Sequence, residues 1–156
     1  MDFNFSFVVK EEILRNLIKT HTNVLIVGKP GTGKTTTALK ITRETGEVFY
    51  YNANRHNPDP SLLGDSVKLI DNIDEIKCMA SENHVIIADD INSAGAEDQE
   101  KLLKLIKNKE NSYKKIVIAN FLVELKPFLS SVDVVVRFKT DTAQMVFTEV
   151  VDLEKI

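Results

Sequence analysis

Cysteine occurs once in this sequence, at Cys78, so no internal disulfide can form. A reducing compartment and a buried, small apolar side chain are the expectation. Histidine is scarce too. His21, His56 and His84 lie far apart with no second ligand close by, which argues against a metal cage. No apolar run approaches the roughly 18 residues that a membrane-spanning helix needs. The opening Met1-Asp2-Phe3-Asn4-Phe5 lacks the basic stretch followed by an apolar one that marks a signal peptide. A cytoplasmic protein without membrane contact is expected. Excess charge of one sign is also missing. A net charge of -3 offers no global attraction to nucleic acid, so any DNA contact needs a local basic patch or several subunits. Arginine is limited to Arg15, Arg43, Arg55 and Arg137. What remains is ordinary for a globular chain: 156 residues, 43% hydrophobic and 28% charged, enough for one domain over residues 1–156 with a core of its own.

One stretch organises the rest. Val24-Leu25-Ile26-Val27 runs into Gly28-Lys29-Pro30-Gly31-Thr32-Gly33-Lys34-Thr35-Thr36. Gly28, Gly33, Lys34 and Thr35 fit the G-x-x-x-x-G-K-[ST] spacing of a phosphate-binding loop. Glycine permits the turns that aim successive backbone N–H groups inward. The helix that follows adds the positive end of its dipole. The loop Gly28, Pro30, Gly31, Thr32, Gly33, Lys34, Thr35 and Thr36 is therefore the expected nucleotide cradle. Lys34 reaches the outer phosphates and the Thr35 hydroxyl holds magnesium.

The remaining chain reads as alternating helices and strands. Residues 3–9 suggest a short strand or packing arm, and 10–19 an amphipathic helix. Strands are expected at 24–27, 47–52, 84–90, 115–120 and 133–139. Residues 53–64 form a long irregular connection, and 65–70 a short extended piece. Asp71 or Asn72 caps a helix over 73–81. Further helices fall at 96–107 and from Pro127 to Leu129. Residues 143–151 fit a strand paired with the fifth or a final helix. The expected fold is α/β: three layers, a five-stranded mainly parallel sheet, and room for an added C-terminal antiparallel strand. His84-Val85-Ile86-Ile87-Ala88-Asp89-Asp90 ends a buried strand in two carboxylates, where parallel strands converge on ligands. Asp89 would hold the magnesium shell through water. Asp90 stands where a base for water could act.

These stretches together resemble the AAA+ ATPases, most of all the clamp-loader and replication-factor branch, over about residues 10–140. Asn23–Thr35 looks like the Walker A strand and loop, and Val85–Asp90 like the Walker B strand. Ala96–Ile106 is similar to the helix after Walker B in clamp loaders, and Lys115–Asn120 to the strand ending in the sensor-1 residue. The resemblance implies ATP as the nucleotide, magnesium as the metal, and a catalytic role for Lys34, Asp90 and Asn120. It also implies assembly into homo- or hetero-oligomers and work with DNA or with a DNA-replication or packaging protein. Three departures stand out. Walker B ends Asp-Asp rather than Asp-Glu. Ser130-Ser131-Val132 replaces the stretch that carries a trans-acting arginine. The sequence ends at Ile156 before a full helical lid.

Two functions compete on these residues: an ATPase, slow in isolation, and a nucleotide-binding switch or scaffold that hydrolyses little. A nucleotide kinase would clamp phosphates with several arginines, and four scattered ones argue against it. Asn108-Lys109-Glu110-Asn111 lacks the aspartate of the guanine-reading motif and precedes a strand rather than following one. Lys101, Lys104, Lys107, Lys109, Lys114 and Lys115 are candidates for a DNA-facing stripe or for a solvated face.

Overall fold

Apolar runs that do not alternate belong in a sheet covered on both faces, and the five in this sequence form its inner strands. The computed structural model describes residues 3–79, 83–108, 113–121, 125–140 and 146–151. In chain order the strands are β1 (Asn23–Gly28), β2 (Glu47–Asn52), β3 (Val67–Ile70), β4 (His84–Asp89), β5 (Lys114–Ala119), β6 (Val134–Thr140) and β7 (Val146–Val150). They make one sheet in the order β3-β2-β4-β5-β1-β6-β7. Six strands run parallel, and β7 pairs antiparallel with β6. The helices are α1 (Phe3–Thr20), α2 (Lys34–Thr42), α3 (Pro60–Leu63), α4 (Asp74–Met79), α5 (Ala96–Lys107) and α6 (Lys126–Leu129).

Alternate residues of β1 feed two cores. Leu25 and Val27 face Ile76, Leu102, Ile106 and Phe128, from α4, α5 and α6. Val24 and Ile26 face Leu14, Ile18, Leu39 and Ile41, from α1 and α2. Three layers result. Leu14 and Ile18 are withdrawn from water almost completely, and burial of each contributes about 1.5–3 kcal/mol. The crossover from β1 through α2 to β2 skips β5 and β4, so the C-terminal ends of those strands border a crevice. Ligands of open α/β sheets bind in such a crevice.

Several expectations need correction. The parallel part of the sheet has six strands rather than five, because the extended piece at 65–70 contains β3, paired with β2. Only Val67 and Ile70 of that strand are buried, so its apolar signal is faint. Residues 3–9 are neither strand nor arm. They open α1, which lies against β7, and tertiary packing of this kind overrides a mild preference for strand. The long connection after β2 contains α3, started by Pro60 and capped by the Asp59 carboxylate on the Ser61 N–H at 3.0 Å. Of the two candidate caps for α4, Asn72 takes the Asp74 N–H at 2.9 Å. The strand alternative holds for 146–150, while 143–145, Lys109 to Asn111 and the side chain of Cys78 lie outside what is described.

Candidate functional site

Between β1 and α2 the chain makes a tight loop whose geometry explains its glycines. Gly31 and Gly33 have φ of 83° and 84°, a region that side chains disfavour. At Gly28 the constraint is space. A Cβ there would stand 2.7 Å from the Phe138 carbonyl oxygen on β6. Thr32 is buried and its hydroxyl donates to the Lys29 carbonyl at 2.8 Å, which ties the loop to itself. Lys34, also buried, donates from Nζ to the carbonyls of Gly28 at 2.6 Å and Lys29 at 2.9 Å. Burial pushes its pKa below the usual lysine value, while Asp89 and Asp90 pull the other way.

Asp89 ends β4 as a buried carboxylate with three donors. Thr35 Oγ1 and the Tyr50 hydroxyl each reach Oδ2 at 2.5 Å, and the Asp90 N–H reaches Oδ1 at 2.7 Å. Tyr50 lies on β2, beside β4, and points from the face that Asp89 shares through the Asn52–Asp89 register. Burial first, then the Asp89 charge, pushes the phenol pKa far up, so Tyr50 stays protonated as a donor. Nothing in the sequence pattern singled out Tyr50.

Asp90 follows in a left-handed conformation, φ 56°, shared among the described non-glycine residues only with Arg55. Aspartate tolerates that region better than most residues, at about 1 kcal/mol. The backbone then turns through a short 3-10 segment, Ile91–Ser93. Within it Asn92 Oδ1 accepts the N–H groups of Asn120 at 2.7 Å and Phe121 at 3.3 Å. This amide fastens the end of β5 to the turn that follows the two aspartates. Gln99 of α5 braces the same turn through the Ile91 and Ala94 carbonyls, at 3.3 and 3.2 Å. Asn92 and Gln99 were also invisible to motif reading.

The result is a cleft of about 550 Å³ that brings together Pro30, Gly31, Gly33, Lys34, Thr35, Thr36, Asn52, Asp89, Asp90 and Asn120. Gly28 and Thr32 line instead a neighbouring cleft of about 430 Å³, with Phe121 and Arg137. Hydroxyl and carboxylate oxygens side by side suit magnesium, which keeps much of its water and leans on substrate phosphates. Among the described residues no three His, Cys, Asp or Glu side chains gather to hold a metal by themselves. Thr35 and Asp89 offer one hydroxyl and one carboxylate side by side at the cleft.

The arginines and lysines sit differently from the motif residues. Arg15 pairs with Glu44 at 3.3 Å on the surface, and Arg43 donates to the Leu62 carbonyl at 2.9 Å. Arg55 is exposed on the loop after β2. Ser131 donates to the Pro127 carbonyl at 3.3 Å at the end of α6. Most described members of the lysine run are tied to neighbours. Lys101 pairs with Asp74 at 2.9 Å and Glu97 at 3.5 Å, and Lys104 with Glu100 at 3.6 Å. Lys114 donates to the carbonyls of Lys19 and His21 at 3.3 and 3.1 Å. Lys115 is buried, its ammonium 4.7 Å from the centre of the Tyr113 ring. Lys107 remains exposed. Among the described residues no helix is long and apolar enough to cross a membrane.

Comparison with known proteins places this geometry. The model of the AAA family, "ATPase family associated with various cellular activities", matches residues 24–149. No curated protein matches the chain. Among solved structures, the RuvB Holliday junction branch migration motor of Thermotoga maritima superposes with a TM-score of 0.57 and 15% identity, over 86% of this chain and 47% of that one. The VirB11 ATPase of the Brucella suis type IV secretion system, in complex with sulphate, gives 0.58 and 11%, over 97% and 55%. The ATPase DotB of Legionella pneumophila gives 0.55 and 13%, over 88% and 46%. The chain spans about half the length of these structures, and at such identities the likeness is one of fold.

Proposed function

The chain belongs to the AAA family of ATPases, and from that premise we propose that it binds ATP with magnesium in the cleft between the β1–α2 loop and the end of β4 and hydrolyses it slowly when alone. The observation that carries this reading is the meeting of Lys34, Thr35 and Asp89, brought together across 54 residues of sequence by a 2.5 Å hydrogen bond between the last two. Residues 1–156 act as one ATPase domain.

The roles follow from the groups present. The loop N–H groups of Gly31 to Thr36, with the start of α2, receive the phosphates, and the buried Lys34 ammonium adds a full charge. The Thr35 hydroxyl donates a hydrogen bond to Asp89, which leaves its oxygen lone pairs for a metal. Asp89 would accept hydrogen bonds from water on that metal. Magnesium, once bound, neutralises charge on the phosphates. Asp90, half-buried at the cleft, takes the proton of the attacking water, and Asn120, fixed through Asn92, orients that water.

Catalysis needs charge stabilisation that this chain lacks where the clamp-loader pattern carries it, because Ser131 stands in place of arginine. A second subunit or a partner protein supplies the missing group. The work coupled to hydrolysis is replication, packaging or remodelling of a nucleoprotein complex. The branch-migration motor among the structures of similar fold supports that reading. With most of the candidate stripe paired or buried, DNA contact depends on the assembly rather than on this lysine face. The alternative is a nucleotide-binding switch with little hydrolysis, favoured by the short Asp90 in its left-handed backbone.

The test is titration of a fluorescent ATP analogue with magnesium, paired with a turnover assay with and without DNA. Binding that prefers ATP over GTP and weakens on the order of a hundredfold in Lys34→Ala supports the reading. Binding that is indifferent to Lys34 sinks it.

A further inference from the structure

β2 is a central strand, and at its fourth position a phenylalanine would meet every packing requirement. Tyr50 is there instead, 2% exposed, with its hydroxyl inside the protein. A buried hydroxyl costs free energy unless it is partnered, and this one has two partners of fixed direction. The Asn54 N–H donates to Asn52 Oδ1 at 2.8 Å, which leaves the Asn52 amide nitrogen as the donor to the Tyr50 oxygen at 3.1 Å. The phenol, accepting there, sends its own proton to Asp89 Oδ2 at 2.5 Å. The direction of each bond is set by the one before it.

The consequence lies in the acceptor count on Asp89. Each carboxylate oxygen has about two acceptor positions. Thr35 and Tyr50 take both positions on Oδ2, and the Asp90 N–H takes one on Oδ1. One position remains, on Oδ1. Without the phenol, Asp89 would have a free position on each oxygen and freedom to turn.

We propose that Tyr50 is a positioning residue for the magnesium site: through Asp89 Oδ2 it fixes the carboxylate so that Oδ1 alone is presented to metal-bound water. The inference rests on the reading of Thr35 and Asp89 as the metal side of an ATP site. Tyr50 touches neither metal nor nucleotide. It acts through Asp89, as outer-shell partners of metal ligands do.

Tyr50→Phe removes the hydroxyl and little else. The measurement is affinity for a fluorescent ATP analogue across a series of magnesium chloride concentrations, with a second series in chelator. The natural chain binds in a magnesium-dependent way. In Tyr50→Phe the magnesium concentration at half effect rises on the order of tenfold, and affinity in chelator stays within about twofold of the natural chain. Asn52→Ala keeps the phenol but removes the amide that steadies its oxygen, and shifts the midpoint in the same direction by a smaller factor. This second variant decides the matter should Tyr50→Phe fail to fold. An unchanged magnesium midpoint in the folded variants overturns the proposal and leaves the ATP site intact. Absence of magnesium-dependent binding in the natural chain overturns both.

Discussion

Lys34 and Asp89 are buried, and each has two or more hydrogen bonds of 2.5 to 2.9 Å to its head group. Asp90 and Asn120, on the other side of the same cleft, are half-buried and sit on a strained turn and a strand end. In the proposed reading the first group would hold phosphate and metal in the ground state. The second would place water and stabilise charge in the transition state. Preorganised polar groups are costly to build, and this chain has them at Lys34 and Asp89. The contrast teaches that one cleft can be firmly braced around two head groups and open around two others.

The comparison is broken most directly at Lys34. Lys34→Ala should lower ATP affinity on the order of a hundredfold, about 2.7 kcal/mol, seen by nucleotide titration. A change below about twofold would mean that the buried ammonium does not serve the phosphates. Next comes Gly28→Ala. Its methyl group would meet the Phe138 carbonyl at 2.7 Å, and a backbone neighbour gives way poorly, so thermal or chemical unfolding should show a loss of about 1–3 kcal/mol. No loss would show that β6 can shift without cost.

Asn92→Ala sharpens the contrast from the catalytic side. It leaves the Asn120 and Phe121 N–H groups without their acceptor, and should cut turnover about five- to tenfold while affinity changes less than about twofold. Equal losses in both would place Asn92 on the binding side instead. Asp90→Glu should have the smallest effect. The longer acid restores reach, while the left-handed backbone at 56° suits glutamate less well than aspartate. Turnover is expected to move a few fold and ATP affinity hardly at all, on the order of 0.3 kcal/mol or less. A larger change in affinity than in turnover would remove Asp90 from the catalytic group.

How much of this was legible depends on the range of the interactions. The loop from Gly28 to Thr35 is local, and its glycines answer to backbone angles and to one close neighbour, so spacing alone revealed it. Asp89 was legible because an apolar strand cannot end in a buried acid without a reason. Tyr50 and Asn92 were not, since their partners lie 39 and 28 residues away and the contacts exist only once β2, β4 and β5 are side by side. β3 escaped for a different reason, with two buried residues in four. The lysine run stayed open between a DNA-facing stripe and a solvated face, because sequence order does not reveal that Asp74, Glu97 and Glu100 lie against it in space.

The central claim is that the site binds fully but catalyses only in part. Steady-state ATP turnover per chain, followed over a wide range of protein concentration with saturating magnesium and ATP, tests it most directly. The account predicts slow turnover by the dilute chain, a rise with concentration or on adding a partner that completes the site, and a further rise in Ser131→Arg only where chains associate. Turnover on the order of 10 s⁻¹ by a dilute monomer, as in a typical enzyme, would contradict it.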